Sequence, residues 1–133
     1  MNILLISPQF YPIFNKKSMG AIEKLERIYI KYNENTKDNI VVYSPKTSSD
    51  DYDRQAFRKT TFRIIDQTTL KYKVRKAFYA AKRRIVRGLN NETYIRTIAD
   101  DIVKRNEQNK YDIIIFENGE QDIPIFRKKT HCR

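Results

Sequence analysis

Cysteine and histidine are almost missing from this chain: Cys132 and His131 are the single examples of each, side by side near its end. One cysteine excludes a disulfide within the chain and a cysteine cluster for zinc. A Cys-His pair that close in sequence is rarely a catalytic dyad, so both are read as part of a frayed tail. Without another histidine no Ser-His-Asp set can be assembled. The three glycines, Gly20, Gly88 and Gly119, stand too far apart for a G-x-G-x-x-G fingerprint or a Walker loop. No apolar run approaches the roughly twenty residues of a membrane span. The stretch from Ile3 to Ile6 also lacks the cationic start and cleavage site of a signal peptide. These absences favour the cytoplasm. The carboxylates are scattered, so no facing pair for sugar hydrolysis can be nominated. No residue is assigned as catalytic or as a metal ligand, and no cofactor is expected.

What is present begins with size and charge. The 133 residues allow one modest domain. A content of 40% hydrophobic and 12% aromatic residues excludes a disordered chain. The formal net charge is +11, and it is concentrated. Between Gln67 and Asn91 stand Lys71, Lys73, Arg75, Lys76, Lys82, Arg83, Arg84 and Arg87, with no Asp or Glu. Without those eight cations the remainder carries only +3, so one element alone argues for an anionic partner.

The hydrophobic pattern alternates between two periods. Ile3 to Ile6 has the unbroken apolar character of a parallel strand buried on both faces. From Gly20 the period becomes helical, with Ile22, Leu25, Ile28, Tyr29 and Tyr32 on the expected core face. A second strand is expected from Ile40 to Ser44, stopped by Pro45. Thr47 to Arg58 reads as a solvated loop. A third strand follows from Thr61 to Asp66, more exposed because Arg63 interrupts it. A long helix from about Thr69 to the break near Gly88 comes next, then a helix bearing Tyr94, Ile95, Ile98 and Ile102. Asp112 to Glu117 is the most apolar strand pattern in the chain, broken by Asn118 and Gly119. The fold class is therefore α/β: a Rossmann-like parallel sheet of about four strands with flanking helices. So apolar a last strand is expected to be central, with further elements beyond it, which points to the front part of something larger.

Three constellations carry chemistry. Gly20, at the start of the first helix after the first strand, either lets a phosphate approach backbone N–H groups at a positive helix end or simply eases a tight loop. In the basic helix, Leu70, Val74, Ala77, Phe78, Ala81 and Ile85 form a stripe, with Tyr72 and Tyr79 opposite. Docking that stripe on the core would present the eight cations to an anionic membrane surface. An ordinary solvated face is the other reading, and nucleic acid ranks below both, because no nucleic-acid motif accompanies the charge. Glu117 and Asn118, at the carboxyl end of the last strand, hold the usual ligand position of an open α/β sheet, or a plain turn.

Together these stretches resemble the start of a glycosyltransferase of family 4, with the two-domain GT-B fold. The resemblance rests on Met1 to Pro12, Gly20 to Glu23 opening the first helix, Ile40 to Pro45 and Tyr111 to Asn118. It implies that residues 1–133 are a partial N-terminal, acceptor-side Rossmann-like domain, incomplete as a GT-B fold and without the C-terminal donor-binding domain. It further implies transfer of a sugar from a nucleotide-sugar substrate to a lipid-linked or cell-surface glycan at the inner membrane face. The missing domain would come from elsewhere, as a further domain or a partner chain, and this chain alone would be inactive. Gly20 would lie in the donor phosphate region, with Met19 where the first glycine of the family's pair would be. Glu117 and Asn118 would line the acceptor cleft, although the histidine common in that region is replaced here. A non-catalytic basic module binding RNA or a protein, or a gene remnant without function, are the competing expectations.

Overall fold

In the computed structural model the described residues are 1–8, 20–46, 57–85, 92–117 and 123–131, and the side chains at 83–85 and 92 fall outside that description. Their order is β1 (Asn2–Ile6), α1 (Ala21–Asn33), β2 (Asn39–Lys46), β3 (Thr61–Asp66), α2 (Leu70–Ile85), α3 (Glu92–Lys104), β4 (Ile113–Phe116) and α4 (Ile123–Thr130). The fold is α/β, with a four-stranded parallel sheet ordered β3-β2-β1-β4 and four helices among the described residues. β1 pairs with β2 from Asn2↔Asn39 to Ile6↔Tyr43, and with β4 from Ile3↔Ile113 to Ile6↔Phe116. Because every strand runs the same way, Ile6, Lys46, Asp66 and Phe116 all end on one edge.

Successive side chains of a strand point to opposite faces, and the two cores follow from that alternation. Leu4, Ile6, Val41 and Tyr43 meet Tyr94, Ile95, Ile98 and Ile102 of α3, with Phe126 of α4. Ile3, Leu5, Ile40 and Val42 meet Ile30 of α1 and Phe57. α3 thus buries the four positions its spacing predicts. Phe57, expected in a solvated loop, is a core residue, while residues 47–56 lie outside the described part.

The other two long helices are turned the unexpected way. α1 buries Glu23, Glu26, Ile30 and Asn33, while Leu25, Ile28 and Tyr29 are exposed and Tyr32 keeps 76% of its surface in solvent. α2 buries Tyr72 and exposes Leu70, Val74 and Phe78. Its stripe therefore faces away from the core, contrary to the expected docking, and its tyrosine side faces inward. The cause is visible in the packing: Arg75 reaches Asp100 at 2.5 Å, and Arg96 of α3 lies 5.2 Å from the centroid of the Tyr79 ring.

Four smaller differences also have physical reasons. β2 continues through Pro45, because residues alternate between neighbours and the donor Pro45 lacks would face β1, which has already ended. The most apolar strand pattern, in β4, forms the edge of the described sheet, and Ile113 is exposed. The expected frayed tail contains α4, whose Phe126 and Thr130 are buried against α3, leaving His131 exposed beyond it.

Arg63 is the fourth difference. β3 is more exposed than β1 and β2, as expected, but Arg63 is itself paired and joins three elements. Its guanidinium donates to Glu107 at 2.5 and 2.9 Å, to the Tyr43 hydroxyl at 2.9 Å and to the Tyr111 hydroxyl at 3.4 Å. Hydrogen bonds from Arg63 hold the Glu107 carboxyl down at about 2. Replacing Arg63 by Leu leaves that carboxylate with Tyr111 and Lys110 alone, and is expected to cost about 2 kcal/mol in urea unfolding, part of which returns in the Arg63→Leu, Glu107→Leu pair. An unchanged midpoint for the single variant would show that the network contributes nothing.

Candidate site at the carboxyl edge

The edge where the strands end gathers polar side chains from several elements. Ser7 follows β1, and its backbone N–H donates to the Tyr43 carbonyl at 3.0 Å. Glu117 follows β4 and donates its N–H to the Ile6 carbonyl at 3.2 Å, so Ser7 and Glu117 close adjacent strand ends. Glu23 and Glu26 come from the first two turns of α1 and are both buried. Tyr94 rises from α3 on the other face of the sheet and donates weakly to the Tyr43 carbonyl at 3.4 Å.

Gly20 is the N-cap of α1 in an extended conformation, as its position in the sequence predicts. What fills the space left by its missing side chain is an acid: a Cβ at residue 20 would collide with Glu23 Oε2. An acid in the first turn answers the positive end of the helix. A diphosphate arriving here would meet Glu23 first, with Glu26 a turn further on.

Glu26 is the most unusual group. It is 3% exposed, and neither carboxyl oxygen has a hydrogen-bond partner. Burial pushes it from its ordinary 4.5 to about 8, and the Glu117 and Glu23 charges add to the rise. The Ser7 hydroxyl offsets part of this but stands outside hydrogen-bond geometry, and Ser7 Oγ is itself buried and unpartnered. Among the described residues the remaining orphan is Tyr72 Oη, its phenol raised to about 12 by burial. Burial also raises the Tyr94 phenol well above its usual range, and the charges of Glu26 and Tyr72 add to it.

At neutral pH the edge therefore carries a protonated carboxyl beside a serine hydroxyl, each able to donate and accept. Unpaired buried polar groups are rare in folded proteins because each costs roughly 1–3 kcal/mol. Three such atoms lie on Ser7 and Glu26 at this edge, where a new hydrogen bond would lower the energy of the fold; the fourth, Tyr72 Oη, belongs to α2 beside the cleft lined by Asp66, Arg75 and Asp100. Among the described residues no cluster of three or more His, Cys, Asp or Glu side chains could hold a metal ion.

Of the residues singled out in the sequence, Gly20 and Glu117 stand at this edge, and Asn118 lies outside the described residues. Ser7, Glu26 and Tyr94 were missed as site residues. A signal for Glu26 existed: Glu23, Glu26, Ile30 and Asn33 repeat at 3-4-3 spacing, a second helical face as regular as the apolar one. The basic set is elsewhere. Lys71, Lys73, Lys76 and Lys82 are exposed on α2, whereas Arg75 is turned inward to Asp100. The side chains of Arg83 and Arg84, and Arg87 altogether, lie outside the described residues. No described helix is long and apolar enough to cross a membrane. Comparison of the chain with protein-family models, with curated proteins and with solved structures returned no match.

The Glu26 shift has a signed consequence. Between about pH 4.5 and 8 the folded chain holds a proton that the unfolded chain releases, so this group's contribution to stability falls as pH rises through that window. The slope is about 1.4 kcal/mol per pH unit at its steepest. Glu26→Gln, neutral at every pH, is expected to remove this component and to be the more stable protein at pH 8. Urea titrations of both proteins at pH 5 and pH 8 measure it, and parallel behaviour would contradict a buried acid at this position.

Proposed function

We propose that this chain is the acceptor-side, Rossmann-like domain of a glycosyltransferase resembling family 4. Its carboxyl edge holds a hydroxyl-rich glycan, lipid-linked or cell-surface, for attack on a nucleotide-sugar. The donor would be held by a second domain facing this edge, in the same polypeptide or a partner chain. The observation that supports the reading is the set of unpaired, buried donors and acceptors on Ser7 and Glu26. A sugar ring satisfies such groups through hydroxyls that also both donate and accept. A neutral Glu26 can do this without placing a bare charge beside the ligand. The acids Glu23 and Glu117 make the same edge a poor seat for a diphosphate, which assigns it to the acceptor rather than the donor.

The position of the edge agrees with this division. Ligands of open α/β sheets bind beyond the carboxyl ends of the strands. Here the ends of β1 and β4 sit side by side, with the start of α1 above them. No base or nucleophile is assigned to this chain. The chemical step is left to groups that the donor side brings.

Saturation-transfer NMR on the purified chain with soluble oligosaccharides tests the reading. Ring protons of a bound sugar are expected to gain saturation with the native chain and to lose it with Glu26→Leu, circular dichroism being unchanged. No turnover is expected from the chain alone with any nucleotide-sugar. Transfer by the isolated chain, or sugar signals indifferent to Glu26→Leu, would overturn the assignment.

A further inference from the structure

α2 has the opposite arrangement from a helix docked by its apolar side. Leu70 is 77% exposed and Phe78 is 64% exposed, with Val74 between them and Ala77 and Ala81 alongside. Large apolar side chains gathered this way on a free surface mark an interaction site. At 100° per residue, Lys73 falls on one flank of this stripe and Lys71 and Lys82 on the other. The helix contains no acidic residue. We propose that α2 lies in the surface of an anionic lipid bilayer, with Leu70, Val74 and Phe78 sunk below the headgroups and the flanking lysines among the lipid phosphates. The proposal stands apart from the glycan reading and does not rest on it.

The inward side of α2 shows why the stripe is available. Tyr72 is buried, Arg75 is paired with Asp100, and the Tyr79 ring lies beside the Arg96 guanidinium, so the rotation of the helix is fixed by its polar side. With 16 residues the helix is about 24 Å long, suited to lying in an interface rather than crossing it. Lysines flanking an apolar stripe can extend along it and keep their ammonium groups at the headgroup level. Next to α2, through Arg96, opens a cleft of about 470 Å³ between α3 and α4, lined also by Lys128 and Lys129.

Other occupants match less of this surface. A nucleic acid would satisfy the lysines and leave Leu70, Val74 and Phe78 in water. A second copy of α2 would cover the stripe but set lysines against lysines. An anionic bilayer accepts both features at once, the apolar side chains by burial and the cations by attraction of about 1 kcal/mol per lysine near the surface.

Vesicle sedimentation of the full chain tests the proposal, using phosphatidylglycerol mixed with phosphatidylcholine against phosphatidylcholine alone. Binding is expected only to the anionic vesicles. Each of Leu70→Ser, Val74→Ser and Phe78→Ser is expected to weaken it roughly tenfold, and each Lys→Gln at 71, 73 or 82 about fivefold. The replaced side chains are exposed, so folding should persist and circular dichroism checks it. Phe78→Trp supplies a second readout: its emission should shift to the blue on anionic vesicles and be quenched by brominated lipid tails. Three results would overturn the proposal. They are vesicle binding that the serine variants leave unchanged, an RNA gel shift without vesicle binding, and a stripe-dependent dimer by sedimentation velocity that ignores vesicles.

Discussion

β1 is held by backbone ladders on both sides, to β2 and to β4, and no other described strand joins those two neighbours. A parallel strand in that position must be covered on both faces, since its backbone groups are committed to the sheet and its side chains from Ile3 to Ile6 are apolar. Five residues from Asn2 to Ile6 therefore dictate much else. They require α1 on one face, and α3 with α4 on the other. They also bring the end of β4 beside the end of β1, which is why Glu117 and Ser7, 110 positions apart in the chain, close neighbouring strands. The candidate site is a consequence of how the central strand is paired.

Strand positions and the identities of α1, α2 and α3 were legible in the sequence because both depend on local periodicity, whereas α4 lies where a frayed tail was expected. The side a helix turns to the sheet was legible only for α3, where the apolar stripe and the buried stripe coincide. In α1 and α2 two periodic faces compete. An apolar face gains from burial by roughly 25 cal/mol per Å², so it is the natural expectation for the docked side. The structure turns the other face inward in both. For α2 the reason can be named, since Asp100 accepts from both Arg75 and Lys129 and so ties α2 and α4 to α3. Such an arrangement involves residues about 25 and 29 positions apart in sequence, and no helical wheel contains it. For α1 no comparable partner compensates Glu26, and the structure shows no reason for its rotation.

The site was legible to the same extent. Gly20 and Glu117 are placed by where a helix starts and a strand stops, so the sequence locates both. Ser7, Glu26 and Tyr94 enter the site through helix rotation and strand pairing, which are tertiary. Arg63 makes the same point in the core. Read alone, a cation inside a strand pattern signals exposure. Read with Glu107, Tyr43 and Tyr111, it is the centre of a satisfied network joining β3, β2 and the segment before β4. A charge is expensive to bury only while it lacks partners.

The two unusual helices have different consequences because their charges differ. α1 turns two acids toward the sheet edge, where burial leaves Glu26 protonated and the edge rich in hydrogen-bonding groups. α2 contains no acid, and turning Tyr72 inward leaves Leu70, Val74 and Phe78 outward on the opposite side of the same cylinder. One rotation supplies polar groups without partners inside, and the other supplies apolar groups without partners outside. Each leaves free energy that a ligand could recover: hydrogen bonds at the carboxyl edge, and burial of apolar surface along α2. The glycan proposed at the edge and the bilayer proposed along α2 would each complete one of these two rotations.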